Sequence, residues 1–308
     1  MPLQCIQLLI DTIRSNYHVS RNAEITLECN PEDMTPEFIG ALHAMGFNRL
    51  SIGIQSFDDN ILRFLNRRHD ARRAIEAVNT ARAIGFDNIS IDLMFGIPGQ
   101  TETILKQDLE VATSLPATHL SSYCLSYEKG TSMHAMLQNG KIQETDEDTL
   151  NRYYDIICEQ CDKTGFKQYE TSNFARSTFR SRHNSGYWDG TPYIGIGASA
   201  HSYDGKRTRR WNVSNLMQYI ANEGNEYELE TLNDDELFDE FVMLGLRQTQ
   251  GIDLNKMSEK FGASKTAECL KEAEKFSAND WLKQEGHFIH VTHEGMKRLD
   301  FITAHLLS

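Results

Sequence analysis

The stretch PEFIGALHAMGFNRLSIGIQS, residues 36–56, contains a complete helix–turn–strand unit. Thr35 before Pro36 makes a good start: a hydroxyl takes an open first-turn N–H, and proline has no N–H to leave open. Phe38, Leu42 and Met45 then fall on one helical face. Gly46 sits where a helix ends on a left-handed residue, a conformation glycine takes without strain. Leu50, Ile52 and Ile54 alternate with Ser51, Gly53 and Gln55, the pattern of a strand with one apolar face.

The same grammar recurs at 72–96, through Gly85, and at 153–174, through Gly165. AEITLECN (23–30) and HLSSYCLS (119–126) add two strand candidates. Strands alternating with helices imply parallel βα units. Ile25 and Leu27 alternate with Thr26 and Glu28, and Ile89, Ile91 and Leu93 with Ser90 and Asp92. A doubly wound sheet buries both faces and tends toward unbroken apolar strands. One aliphatic face and one small or polar face instead suit a barrel with a partly polar interior. Glu28, Gln55 and Asp92 then point inward near the C-terminal ends of their strands, where βα barrels carry their sites. The bland alternative is three unrelated polar residues at strand ends.

The chain has 308 residues, 40 % of them hydrophobic, which fits one large α/β domain with a smaller appendage. No apolar run approaches the roughly 20 residues of a spanning helix. The opening MPLQCIQLLIDTIRSNYHV reads as an amphipathic helix rather than a signal peptide, so the expected location is the cytoplasm. A net charge of −13 argues against nonspecific nucleic-acid binding, although NRRHDARR (66–73) is a local basic patch. Cys5, Cys29, Cys124, Cys158, Cys161 and Cys269 are scattered, as in a reducing compartment. CEQC (158–161) lies within a helical pattern and reads as structural, and GIGASA (195–200) lacks the strand–turn–helix context of a dinucleotide site.

Taken in order, EITLECNPE, RLSIGIQSF, LNRRHD, IDLMFGIPGQT, YETSNFA, RHNSGYW and YIGIGASAHS resemble the oxygen-independent coproporphyrinogen III oxidase family of radical S-adenosylmethionine (SAM) proteins. The resemblance is greatest to its haem-chaperone branch and covers nearly the whole chain. It implies an α/β fold: a partial, TIM-like (βα)6 barrel over 1–175, a connecting segment over 176–230 and a winged-helix-like C-terminal domain over 231–308. It also implies SAM contacts at Glu28, Gln55, Arg67 and Asp92, where the Arg67 guanidinium suits a carboxylate.

Family members hold a [4Fe–4S] cluster on a CxxxCxxC motif, followed by a Gly-rich GGGTP segment. Neither is found in this sequence. The resemblance therefore implies a chain that starts at least one strand–helix pair late, binds no cluster and has no radical activity alone. No catalytic residue or metal ligand is assigned.

RHNSGYW (182–188), with glycines and a proline nearby, reads as a loop. His183, Asn184, Tyr187 and Trp188 match the HNxxYW motif of the haem-chaperone branch, which implies haem binding. An imidazole or a phenolic oxygen can ligate haem iron, and Trp can cover a porphyrin. The structural alternative is an aromatic loop anchor, and His69 and His201 are competing imidazoles.

Beyond an acidic boundary at 223–236, a helix over 234–252 leads into two further helices, a hairpin around KQEGHFIHVT and a final helix, HEGMKRLDFITAHLL. That order suggests a winged helix, read as a cover or partner surface rather than a DNA reader because acids nearly match bases. The expected function is a haem-binding chaperone, with haem or porphyrin and haem-recipient proteins as partners. The alternatives are oxygen-independent oxidation of coproporphyrinogen III and a fragment without function.

Overall fold

The computed structural model describes residues 1–307, which divide into two compact units, Met1–Arg180 and the residues from Ser181 on. In chain order the first holds α1 (Leu3–Asn16), β1 (Thr26–Cys29), α2 (Pro36–Ala44), β2 (Arg49–Gln55), α3 (Asp59–Phe64), α4 (Ala71–Ile84), β3 (Asn88–Phe95), α5 (Glu102–Ser114), β4 (His119–Cys124), α6 (Ser132–Gln138), α7 (Glu147–Lys163), β5 (Lys167–Gln168) and β6 (Asn173–Ala175).

The local signals form as expected. The Thr35 hydroxyl accepts from the Phe38 N–H, Asp70 caps α4 through the Arg73 N–H, and Gly85 ends α4 at φ +120°. Strands β1 to β4 pair in parallel in one open sheet of order β1-β2-β3-β4-β6-β5. Leu50, Ile52, Ile54, Ile89, Ile91 and Leu93 all lie on its apolar face. Helices cover that face with Leu42 of α2, Val78 of α4, Leu109 of α5 and Ile157 of α7, forming one core. Cys161 is fully buried in this core, and Cys158 packs against it.

The third repeat departs from the simplest reading. β5 does not join β4 directly; β6 pairs antiparallel with both and separates them. Burial accounts for the order. Asn173, Phe174 and Ala175 are all buried, whereas β5 is short and leaves Lys167 exposed at the sheet edge.

The second unit holds α8 (Arg182–Trp188), β7 (His201–Tyr203), β8 (Thr208–Asn212), α9 (Leu216–Ala221), β9 (Tyr227–Thr231), α10 (Asp234–Arg247), β10 (Ile252–Asp253), α11 (Leu254–Phe261), α12 (Ala263–Ser277), β11 (Leu282–Glu285), β12 (Phe288–Val291), α13 (His293–Met296) and α14 (Leu299–Leu306). β7, β8 and β9 form an antiparallel sheet. Helices α10 to α12, the β11–β12 hairpin and β10 paired to β12 follow the order expected of a winged helix, around a core of its own. An Asn233–Glu236 capping box starts α10.

Two expectations are corrected. RHNSGYW is a helix, not a loop: the Ser181 hydroxyl caps it through the Asn184 N–H, Gly186 is accommodated within it, and Gly190 and Pro192 lie just beyond its end. The final helix is two helices. Gly295 packs so closely on the Trp281 carbonyl that a side chain has no room, and the chain breaks before α14.

Candidate functional site

The polar face of the first unit's sheet is built by register. Parallel pairing sets Glu28 beside Ser51, Ser51 beside Ser90 and Ser90 beside His119. The next row sets Gly53 beside Asp92, Asp92 beside Ser121 and Ser121 beside Asn173. Partners in register share a face, so Glu28 and Asp92 stand together on the face that the alternation assigned them.

Gln55 closes β2 with φ +73°, a left-handed conformation that costs a non-glycine residue energy and is often held at functional sites. Arg67, in the turn after α3, donates through Nη2 to Asn30 Oδ1 at 2.7 Å and to the Gly53 carbonyl at 2.9 Å. A side chain at Gly53 would run into Gln55 and touch Arg67 and Asn30, so three polar side chains converge over one glycine. Arg67 Nε, Arg49 Nε and Asn173 Oδ1 are buried without a hydrogen-bond partner among the described residues. Buried polar groups are ordinarily paired, so these atoms mark places for a polar ligand.

Burial raises the Asp92 carboxyl to about 6; a hydrogen bond with Ser121 opposes the rise, Glu28 adds to it, and Arg49 and Ser51 oppose it. Burial, then the Arg49 charge, push the His119 imidazole down to about 3. His119 lies 2.8 Å from both Ser90 Oγ and the Tyr169 hydroxyl. A neutral ring suits this pair, since it donates to one hydroxyl and accepts from the other.

Sequence reasoning missed Asn30, Arg49, His119 and Asp108. Arg49 shares strand parity with Ser51 and Gly53, and His119 with Ser121, a signal the alternation already contained, whereas Asn30 follows the end of β1. Asp108, on α5, accepts from the Ser56 hydroxyl at 2.7 Å and the Phe57 N–H at 2.6 Å, pinning the turn that follows Gln55. No strand pattern points to it. His69 is taken out of the competition for haem: it is buried, with Nδ1 3.1 Å from Glu32 Oε2 and Nε2 3.1 Å from the Ile54 carbonyl.

In the second unit, α8 brings His183, Asn184, Tyr187 and Trp188 onto seven residues. The His183 ring meets Tyr187 edge-on at 4.8 Å, and Tyr187 meets Tyr193 edge-on at 4.8 Å. Asn184 contributes a backbone N–H to the cap. Trp188 is partly buried, accepts at its carbonyl from Gln248 at 3.3 Å, and leaves Nε1 buried without a partner among the described residues. Tyr187 and Trp188 line a cavity of about 730 Å³ within this unit. His183, Asn184 and His201 are not part of that lining, and His201 stacks on Trp211 at 5.9 Å.

Burial raises the thiols of Cys29, Cys161 and Cys269, to about 12 for Cys29 and about 11 for Cys269. Iron–sulfur clusters bind thiolates, and the six side chains are distributed along both units.

The radical SAM superfamily profile matches residues 6–112, and the HemN C-terminal domain profile matches residues 232–297. The chain is also similar to a solved structure, coproporphyrinogen III oxidase (HemN) from Escherichia coli. The TM-score is 0.84 at 22 % identity, over 100 % of this chain and 75 % of that one. The two profiles thus mark a radical SAM superfamily protein with a HemN-type C-terminal domain. Two relatives narrow this. The chain is 35 % identical over 277 residues to the heme chaperone HemW of Bacillus subtilis, covering 89 % of this chain and 73 % of the relative. It is 33 % identical over 303 residues to the heme chaperone HemW of Mycobacterium tuberculosis, covering 97 % and 75 %. The chain belongs to the HemW family.

Proposed function

We propose that the protein is a haem chaperone that binds haem at α8 and passes it to recipient proteins in the cytoplasm. The observation that carries this reading is the HNxxYW set, complete on one short helix whose aromatic side face lines a cavity. The relatives named as heme chaperones, matched over most of the chain, support it. Six free cysteines suit a reducing compartment, and no helix among the described residues is long and apolar enough to cross a membrane.

We assign SAM to the polar face of the sheet. Arg67, with its unpartnered Nε, would hold the methionine carboxylate, Gln55 and Asn30 the amino end, and Glu28 and Asp92 ribose hydroxyls. Bound beside a reduced cluster, SAM supplies one-electron chemistry. The residues of this chain orient and desolvate the ligand, and the strained Gln55 backbone fixes one of its donors in advance. The cysteines present do not fit the [4Fe–4S] group, and this chain by itself is expected to show no radical turnover.

Purified chain mixed with haem, and separately with coproporphyrinogen III and SAM after iron–sulfur reconstitution, tests the reading. The expected result is a shifted, saturable Soret band in the first mixture and neither protoporphyrinogen nor 5′-deoxyadenosine in the second. Turnover of coproporphyrinogen without haem binding would replace the chaperone reading with the oxidase.

A further inference from the structure

We propose that the cavity of the second unit seats the macrocycle of a carboxylate-bearing tetrapyrrole, and that Lys256 and Lys260 of α11 bind its propionate groups. The inference rests on the haem-binding reading above and adds the seat and the anion-binding residues.

The cavity's volume, about 730 Å³, lies within the roughly 300–1,000 Å³ typical of cofactor sites. Its lining is mixed in a way that selects among ligands. Tyr187, Trp188, Phe241 and Phe288 offer aromatic surface for a flat apolar ring. Three cations also line it, but they are not equivalent. Arg209 is ion-paired with Glu240, another lining residue. Lys256 and Lys260 have no acidic partner among the described residues. Four positions apart, they project from one face of α11.

The Lys260 ammonium rests 5.4 Å from the Phe261 ring centre and 5.9 Å from that of Phe241, a cation held by aromatic faces alone. Asp253, an acid that also lines the cavity, is occupied in capping α11 through the Asn255 and Lys256 N–H groups. Trp188 Nε1 adds a buried donor with nothing to donate to among the described residues. Aromatic surface, two unpaired ammonium groups and an idle indole N–H together fit a planar apolar ligand with carboxylates at one edge. A ligand without acidic groups would use the rings and leave both lysines idle.

The test compares haem with haem dimethyl ester, in which the propionates carry no charge. Both are titrated into the full chain and into Lys256→Gln/Lys260→Gln and Lys256→Arg/Lys260→Arg double variants, following the Soret band. Both lysines are exposed, so the variants should fold, and each ion pair lost is a modest one. The Gln variant should bind haem roughly five- to twentyfold more weakly than the wild type. The Arg variant should restore wild-type affinity, and the ester should bind all three proteins alike. Unchanged haem affinity in the Gln variant, with normal binding by the wild type, overturns the lysine assignment and leaves haem binding standing. A wild type that does not perturb the Soret band overturns both.

Discussion

The polar face of the sheet and the motif helix are candidate sites built in opposite ways. The first is held by strand register: Glu28, Gly53, Asp92 and Ser121 occupy fixed rows, and buried Arg49 and His119 support them from neighbouring positions. Its strain and its shifted acid and base are already in place. The second is seven residues long, capped by one serine, with His183 exposed and Tyr187 41 % exposed. The difference implies a rigid, preorganised pocket in one unit and a surface that completes itself on its ligand in the other.

The largest effect should come from breaking the rigid site. Arg67→Ala removes the group that joins Asn30 to the Gly53 carbonyl and should weaken SAM binding by about 100-fold, since hydrogen bonds to charged groups are worth roughly 1.5–3 kcal/mol each. Calorimetric titration measures it, and a loss below about threefold would remove Arg67 from the site.

Next in size is the pH dependence of stability. His119 titrates near 3 in the folded protein against 6.5 in the unfolded chain, so the unfolded state binds more protons between those values. The stability it contributes is present above 6.5 and is lost as pH falls toward 3, at up to about 1.4 kcal/mol per pH unit. Asp108 runs the other way. Its carboxyl is raised by burial to about 6 from 3.8, so the folded state holds the proton more tightly and stability rises as pH falls through that interval. Urea unfolding at pH 7 and pH 4.5 should show His119→Gln losing less stability than the wild type on acidification and Asp108→Asn losing more. Parallel shifts in all three proteins would contradict the assignment.

The smallest effect belongs to the helix. His183→Ala should change stability by less than about 0.5 kcal/mol because the side chain is exposed. A large loss in thermal unfolding would make it a structural residue.

Much of the first site could be read in the sequence because strand alternation is strictly period two. Once Leu50 and Ile52 face helices, Ser51 and Gly53 must face the other way, whereas Gln55 lies past a break in register and reaches over Gly53 from a left-handed backbone. The same rule contained Arg49 and His119. Asp108 was illegible: its partners are 51 and 52 residues away in sequence and meet it only when α5 packs. The helix was misread because turn-forming residues surround it, while Ser181, the residue that nucleates it, is a weak signal on its own. The placement of β6 between β4 and β5 was equally hidden, since it depends on which of two short segments buries better.

The account's central claim is that α8 is a haem site, and the most direct test is a Soret titration of wild type beside a His183→Ala/Trp188→Ala double variant with matched thermal stability. The account predicts a saturable shift for the wild type and at least a roughly tenfold weaker, spectrally altered complex for the variant. Identical spectra and affinities for the two proteins would contradict it.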